Sequence, residues 1–149
     1  MRPLTIRKLY IDSNVLINYC TNQITDKTGL EYLFKKRRRE ILFTSTLAIV
    51  QTITNLQTKK ANRKAFSKEQ TVEVINKLRQ KLTILNLTNE DVIAGFFYSN
   101  SDLEDNIHYV LSKKAKCDAI ITNNTSDLDY FKDISVIRPK RSILSMRVK

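Results

Sequence analysis

The sequence contains no tryptophan, a single histidine, and only two residues each of glycine, proline and cysteine in 149 positions. So little Gly and Pro excludes a collagen-like repeat, a low-complexity chain or a loop-dominated fold, and long regular elements are expected. Cys20 and Cys117 lie far apart, with no C-x-x-C spacing and no clustered His. A disulfide framework and a zinc site are therefore not expected, and a reducing compartment fits. Gly29 and Gly95 are isolated, so there is no phosphate-cradling loop. The lone His108 has no nucleophile partner in an indicated Ser-His or Cys-His arrangement, and reads as a packed or surface residue. Long apolar runs are also missing. Arg7, Lys8, Asp12 and Asn14 interrupt the opening stretch, which excludes a signal peptide or membrane span there and predicts a soluble, cytoplasmic chain with no membrane partner.

What the sequence has in excess is positive charge. Twenty-six Lys and Arg against 15 Asp and Glu leave a formal net charge of +11. The excess falls in four groups: residues 35–39 (KKRRR); Lys59, Lys60, Arg63, Lys64 and Lys68; Lys113, Lys114 and Lys116; and Arg138, Lys140 and Arg141. Any one group is an ordinary solvated helix end. Four together predict a polyanionic partner, nucleic acid or acidic protein, attracted by local charge and by counterion release.

With 42% hydrophobic residues in 149 positions, the chain is sized for one domain spanning 1–149 around one core. Short apolar, β-prone runs are predicted as strands at Lys8–Ile11, Ile41–Thr44, Thr83–Leu85, Asp118–Thr122 and Ile134–Ile137. Helices are predicted between them at Asn14–Cys20, Thr28–Arg39, Thr46–Thr58, Ser67–Lys81, Thr88–Tyr98, Asp102–Lys114 and Ser126–Phe131. Ser67-Lys68-Glu69-Gln70 supplies a capping box. The apolar faces are expected at Leu47, Val50, Ile53, Thr54 and Leu56 or Gln57 of one helix and at Val72, Val74, Ile75 and Leu78 of the next. Lys59–Lys68 is expected to be an exposed, mobile connection. Alternating strands and helices imply a parallel sheet covered on both faces, and the uninterrupted apolar strands fit burial on both sides.

In such a sheet ligands bind beyond the carboxyl ends of the strands. Asp12 ends the first strand, Asp105 lies in the first turns of the helix before the fourth strand, and Asp127 follows that strand. Three segments can thus bring carboxylates to one end of the sheet, where their repulsion calls for a cation. Oxygen ligands without His or Cys point to Mg²⁺ or Mn²⁺. Each acid also has a plainer role as a helix cap or a favourable charge at a helix start, so the case rests on their order.

That order resembles the PIN-domain family. Tyr10-Ile11-Asp12-Ser13-Asn14-Val15-Leu16 is similar to the family's opening motif, an apolar strand ending in Asp-Thr/Ser-Asn. The run from Asp102 to Tyr109, followed by Asp118 to Asn124 and by Asp127-Leu128, resembles its second half. The closing Val136-Ile137-Arg138-Pro139 and Ile143-Leu144 are similar to its usual end. The resemblance implies a three-layer α/β/α sandwich of flavodoxin-like type and Mg²⁺- or Mn²⁺-dependent cleavage of RNA. Many small members resemble VapC toxins, restrained by an antitoxin, and small domains of this type commonly form homodimers. Carried over by position, Asp12, Asp105 and Asp127 are the metal-binding acids, Thr122 and Asn124 support them and orient water, and Glu104 is an adjacent acid. Lys35, Lys36, Arg37, Arg38, Lys59, Lys60, Arg63 and Lys64 are then the residues expected to hold the RNA backbone, and an acidic antitoxin-like protein is the expected protein partner.

The chain departs from the family at one position. Where the family usually has a Glu on the helix after the second strand, this sequence has Gln51. Gln51 keeps a carbonyl oxygen and loses a charge. Either Glu104 makes up for it and the site cleaves RNA, or the chain is a catalytically weakened module that binds RNA or protein.

Overall fold

The computed structural model describes residues 7–21, 34 and 40–139. Strand β1 (Arg7–Ile11) leads into helix α1 (Ser13–Cys20). Then follow β2 (Glu40–Ser45), α2 (Thr46–Leu56), α3 (Lys68–Arg79), β3 (Thr83–Leu85), α4 (Asn89–Gly95), α5 (Leu103–Lys114), β4 (Ala119–Ile121), a 3₁₀ turn (Thr125–Leu128) and β5 (Ser135–Ile137). The expected helix at Thr28–Arg39, the basic residues Lys35, Lys36, Arg37 and Arg38 within it, and the end at Ile143-Leu144 lie outside the described residues.

All four strand pairings are parallel, in the order β3-β2-β1-β4-β5. Side-chain parity builds the layers. Leu9 and Ile11 of β1, with Ala119 and Ile121 of β4, face a core made with Val15 and Leu16 of α1, Ala48 of α2, and Ile75 and Leu78 of α3. Tyr10 and Ile120, between them in register, face the opposite core with Ile107, Tyr109 and Leu111 of α5 and Leu128 of the 3₁₀ turn. This is the expected three-layer α/β/α sandwich around a parallel sheet.

At the amino ends of β1 and β2, Arg7 and Glu40 are paired in register and form a buried ion pair. The Asp118 carboxylate accepts from the Lys8 amide at 2.7 Å, setting where β4 joins β1. Both cysteines are free, and burial pushes each thiol up to about 12. Among the described residues no helix is long and apolar enough to cross a membrane.

The structure keeps Leu56, Ile75 and Leu78 on the buried faces and corrects the rest of the expected helix faces. On α2 the buried stripe is Ala48, Thr52 and Leu56, whereas Val50 is 58% exposed. On α3 it is Thr71, Ile75 and Leu78, with Val72 50% exposed. A buried threonine is the reason in both helices. Thr52 donates its hydroxyl to Ala48 O at 2.7 Å and Thr71 to Ser67 O at 2.8 Å, so each polar side chain is satisfied within its own helix and can pack like valine. The helix expected at Thr88–Tyr98 stops at Gly95, because Asn106 of α5 donates to the Gly95 carbonyl (3.1 Å) and to Asn100 O (3.0 Å) and bends the chain away. Gly95 is also where α4 and α5 touch, and a Cβ there would lie 3.0 Å from Ile107. The helix expected over Ser126–Phe131 is a single 3₁₀ turn one residue earlier.

Leu16 is fully buried where α1 anchors the end of β1. Leu16→Ala should cost about 3 kcal/mol in urea denaturation with the m-value unchanged, as for other buried Leu truncations. Val72→Ala, on the exposed face of α3, should stay within about 0.5 kcal/mol of the parent.

Candidate active site

The strand order reverses direction between β1 and β4. β2 and β3 extend the sheet on one side of β1, and β4 and β5 extend it on the other. Loops leaving β1 and β4 therefore diverge and leave a crevice at their carboxyl ends. A cavity of about 180 Å³ occupies that crevice, lined by Asp12, Ser13, Asn14, Gln51, Glu104, Asp105, His108, Asn124, Asp127 and Leu128. No Lys or Arg is among these lining residues. The structure thus brings Asp12, Asp105, Asp127, Glu104, Gln51 and Asn124 together, from four separate segments.

Asp12 is the best-held acid. It is 7% exposed and caps α1, with Oδ1 accepting from the Ser13 amide at 2.7 Å. Its Oδ2 accepts from Thr122 Oγ1 at 2.9 Å and from Asn14 Nδ2 at 3.2 Å. Thr122 is fully buried, and its hydroxyl oxygen also accepts from Asn14 Nδ2 (3.0 Å) and the Asn124 amide (3.1 Å). Asn14 Oδ1 in turn accepts from the Asn123 amide at 3.0 Å. Thr122 therefore lies behind Asp12 and orients that carboxylate, while the side chain of Asn124 lines the cavity. The capping role and the site role of Asp12 are one arrangement: the cap fixes the oxygen that the cavity sees.

Asp105 sits in the first turn of α5, whose N-cap is Asp102; the Asp105 amide donates to Asp102 Oδ1 at 3.1 Å. Burial is the main cause that pushes the Asp105 carboxyl from its ordinary 3.8 up to about 7, and the charges of Asp102, Asp12 and Asp127 add to it. Asp127 is exposed, within the 3₁₀ turn, and its predicted role as a cap is not seen; Asn124 stands at the N-cap of that turn without a side-chain hydrogen bond.

His108 is the residue that sequence reasoning passed over. It is 2% exposed, one turn beyond Glu104 on α5, with Nε2 2.9 Å from Gln51 Oε1 and 3.6 Å from Asp12 Oδ1. Its Nδ1 is 2.7 Å from the Tyr10 hydroxyl, which lies 2.7 Å from Ser45 Oγ. Gln51 Nε2 donates to Glu104 Oε2. Burial holds the imidazole below its usual range against the pull of Asp12, and burial likewise keeps the Tyr10 phenol protonated. The i,i+4 spacing of Glu104 and His108 was the available signal.

A second cavity of about 310 Å³ is lined by Asn14, Ile17, Asn18, Asn55, Lys60, Asn62 and Arg63, so Asn14 borders both. Lys59, Lys60 and Lys64 are exposed as expected. The connection that carries them is tied down: Arg63 donates to Leu56 O (3.1 Å), Asn55 O (3.1 Å) and Asn55 Oδ1 (2.8 Å), and Lys60 and Arg63 bridge to each other.

No family model and no curated protein matches the sequence. Solved structures do match in shape. VapBC-1 from nontypeable Haemophilus influenzae superposes with a TM-score of 0.66 at 14% identity, over 89% of this chain and 98% of that one. Mycobacterium tuberculosis VapC20, a sarcin-ricin loop cleaving toxin, gives 0.62 at 11% identity, over 85% and 98%. VapBC2 from Rickettsia felis, solved with a fragment of promoter DNA, gives 0.60 at 13% identity, over 87% and 96%. The fold is that of the PIN domain. In this PIN-like chain the acid crevice stands at the carboxyl ends of the two central strands, β1 and β4.

A divalent cation is what the resemblance implies for this crevice. Among the described residues no three His, Cys, Asp or Glu side chains are gathered closely enough to enclose an ion as they stand. The donors nevertheless fit one in kind. They are carboxylate oxygens suited to a hard cation, no cationic residue among the described residues lines the cavity to offset them, and Asp105 is pushed up first by burial and then by the neighbouring acids.

Because the Asp105 pKa is raised on folding, its contribution to stability is complete below about 4 and is lost as pH rises through about 7. Asp105→Asn, neutral throughout, should therefore melt higher than the parent at pH 8 in EDTA and show no such gain at pH 4. A melting difference equal at both pH values would contradict the burial and charge crowding described for Asp105.

Proposed function

We propose that the protein is a divalent-metal-dependent endoribonuclease that hydrolyses RNA phosphodiester bonds, the toxin of a toxin–antitoxin pair. The observation that carries this is the convergence of Asp12, Asp105, Asp127 and Glu104 on one cavity with no Lys or Arg among its described lining residues, at the switch point of a PIN fold. Asp12, Asp105 and Asp127 would hold Mg²⁺ or Mn²⁺, which supplies charge to offset the phosphate and acidity to activate a water. Asp12 is presented in a fixed orientation by Ser13, Asn14 and Thr122, so little rearrangement is needed at the moment of reaction. Asn124, which lines the cavity, would orient a water molecule.

RNA approaches over the neighbouring basic surface. Asn14 is common to the acid cavity and to the cavity bordered by Lys60 and Arg63, so a backbone held by Lys59, Lys60 and Lys64 runs directly toward the acids. Lys35, Lys36, Arg37 and Arg38 are assigned to the same role from sequence alone. The net charge of +11 suits an acidic antitoxin as the partner; the shape relatives include VapBC2 and FitAB, whose structures were solved bound to DNA. A homodimer in the cytoplasm completes the proposal.

Purified protein with Mn²⁺ or Mg²⁺ should cleave a mixed RNA substrate, and EDTA should abolish cleavage. Asp12→Asn, which preserves shape and removes one charge, should lower the rate on the order of 100-fold or more. RNA that is bound, equally with and without divalent ion, and never cut would replace this proposal with a non-catalytic binding module.

A further inference from the structure

The proposed chemistry leaves His108 without a role, although it is buried against the cavity and joined to two elements. The direction of each hydrogen bond around it follows from what the groups can do. A carboxylate only accepts, so the amide group of Gln51 that meets Glu104 is its NH₂, and its carbonyl oxygen is turned inward. That oxygen also only accepts, so the ring nitrogen 2.9 Å away, Nε2 of His108, carries the proton. Asp12 Oδ1, 3.6 Å from the same nitrogen, favours the same tautomer. Neutral His108 then accepts at Nδ1 from the Tyr10 hydroxyl, which accepts from Ser45, and Ser45 Oγ takes the Ala48 amide at the start of α2. Every member has one direction available to it. The run ties β1, α2 and α5 together and ends at the carboxylate of Glu104.

We propose that Gln51 is a positioning residue. His108 locks its carbonyl away from the cavity and its NH₂ toward Glu104, so that Glu104 takes the place in the donor set that a carboxylate at position 51 would hold. The consequence for ion binding rests on the metal-nuclease proposal; the polarity of the lock rests on geometry alone. Gln51 is then not a weakened ligand, because its carbonyl oxygen is turned to the His108 ring N–H instead of standing in for a carboxylate. Gln51→Glu does not restore a missing acid either. It sets two carboxylates face to face where one donor and one acceptor stood, and their repulsion drives Glu104 out.

Two measurements test this. In ¹⁵N-labelled protein free of divalent ions, a long-range ¹H–¹⁵N correlation of the imidazole should place the His108 proton on Nε2. A proton on Nδ1 alone would reverse the Gln51 amide, turn its oxygen to the cavity and overturn the proposal. Mn²⁺ titration by calorimetry should show Gln51→Leu and Glu104→Gln each weakening binding about 10-fold, within the range typical for groups that orient metal ligands. The double variant should bind no worse than Glu104→Gln alone, and Gln51→Glu no tighter than the parent. Tighter binding by Gln51→Glu, or losses that multiply in the double variant, would sink the lock. Circular-dichroism melts of each variant show that a loss is not unfolding. A parent that binds no Mn²⁺ would defeat the metal-nuclease proposal, while the His108 tautomer would still decide the lock.

Discussion

Asp12 places a carboxylate at the buried end of the central strand, and among the described residues no Lys or Arg lines the cavity beside it. A charge taken out of water needs oriented dipoles in place of its hydration shell. Those dipoles come from the Ser13 amide, from Asn14 two residues on, and from Thr122 at the end of β4. The need to satisfy one carboxylate therefore fixes the start of α1, the packing of β4 on β1 and the path of the chain after β4. The Asp12 amide donating to Ile121 O at 2.9 Å continues the same join along the backbone. The surrounding fold serves to make this end of β1 rigid, and the remaining acids are hung around it from less buried positions.

The sheet separates two tasks by side-chain parity. Leu9 and Ile11 face the layer of α1, α2 and α3. Tyr10, pointing the other way, reaches His108 of α5 and Ser45 at the end of β2. One face thus anchors the strand by apolar packing, while the other sends a polar connection from the sheet to the rim of the cavity. Polar groups buried this deeply are tolerable because each has a partner in a compatible donor or acceptor role. The same connection accounts for an amide at position 51: a residue wedged between a ring N–H and a carboxylate must accept on one side and donate on the other, and Gln does both.

Much of this was legible in the sequence, for identifiable reasons. The strands were readable because uninterrupted apolar runs such as Leu9-Tyr10-Ile11 and Ala119-Ile120-Ile121 have few alternatives between polar flanks. Asp12, Asp105 and Asp127 were readable from their places relative to those strands, and the structure brings them to one cavity. The helix faces were misread where threonine lay inward, since hydropathy counts Thr52 and Thr71 as polar while their hydroxyls bond to their own helices. The early end of α4 was not readable because Asn106, eleven residues beyond Gly95, imposes it. His108 was missed because its meaning depends on Tyr10 and Gln51, which lie 98 and 57 residues away in the chain. Local pattern reveals what a residue is next to in sequence, and a buried hydrogen-bond network is set by what it is next to in space.

The separation of Asp12 from Thr122 by 110 residues also orders events in time. Strands β1, β2 and β3 are adjacent in both sequence and sheet, so they can associate as soon as the chain is available through Leu85. Until β4 arrives, β1 is an open edge, and the Asp12 carboxylate faces solvent without its hydroxyl partner from Thr122. Asp127 belongs to the same late segment. An incomplete chain, whether still on the ribosome or truncated by proteolysis before β4, has Asp12, Glu104 and Asp105 but lacks Asp127 and the Thr122 hydroxyl that orients Asp12. The crevice is a product of the last step of assembly, so a half-made copy of this protein carries its first acid without the wall that completes the cavity.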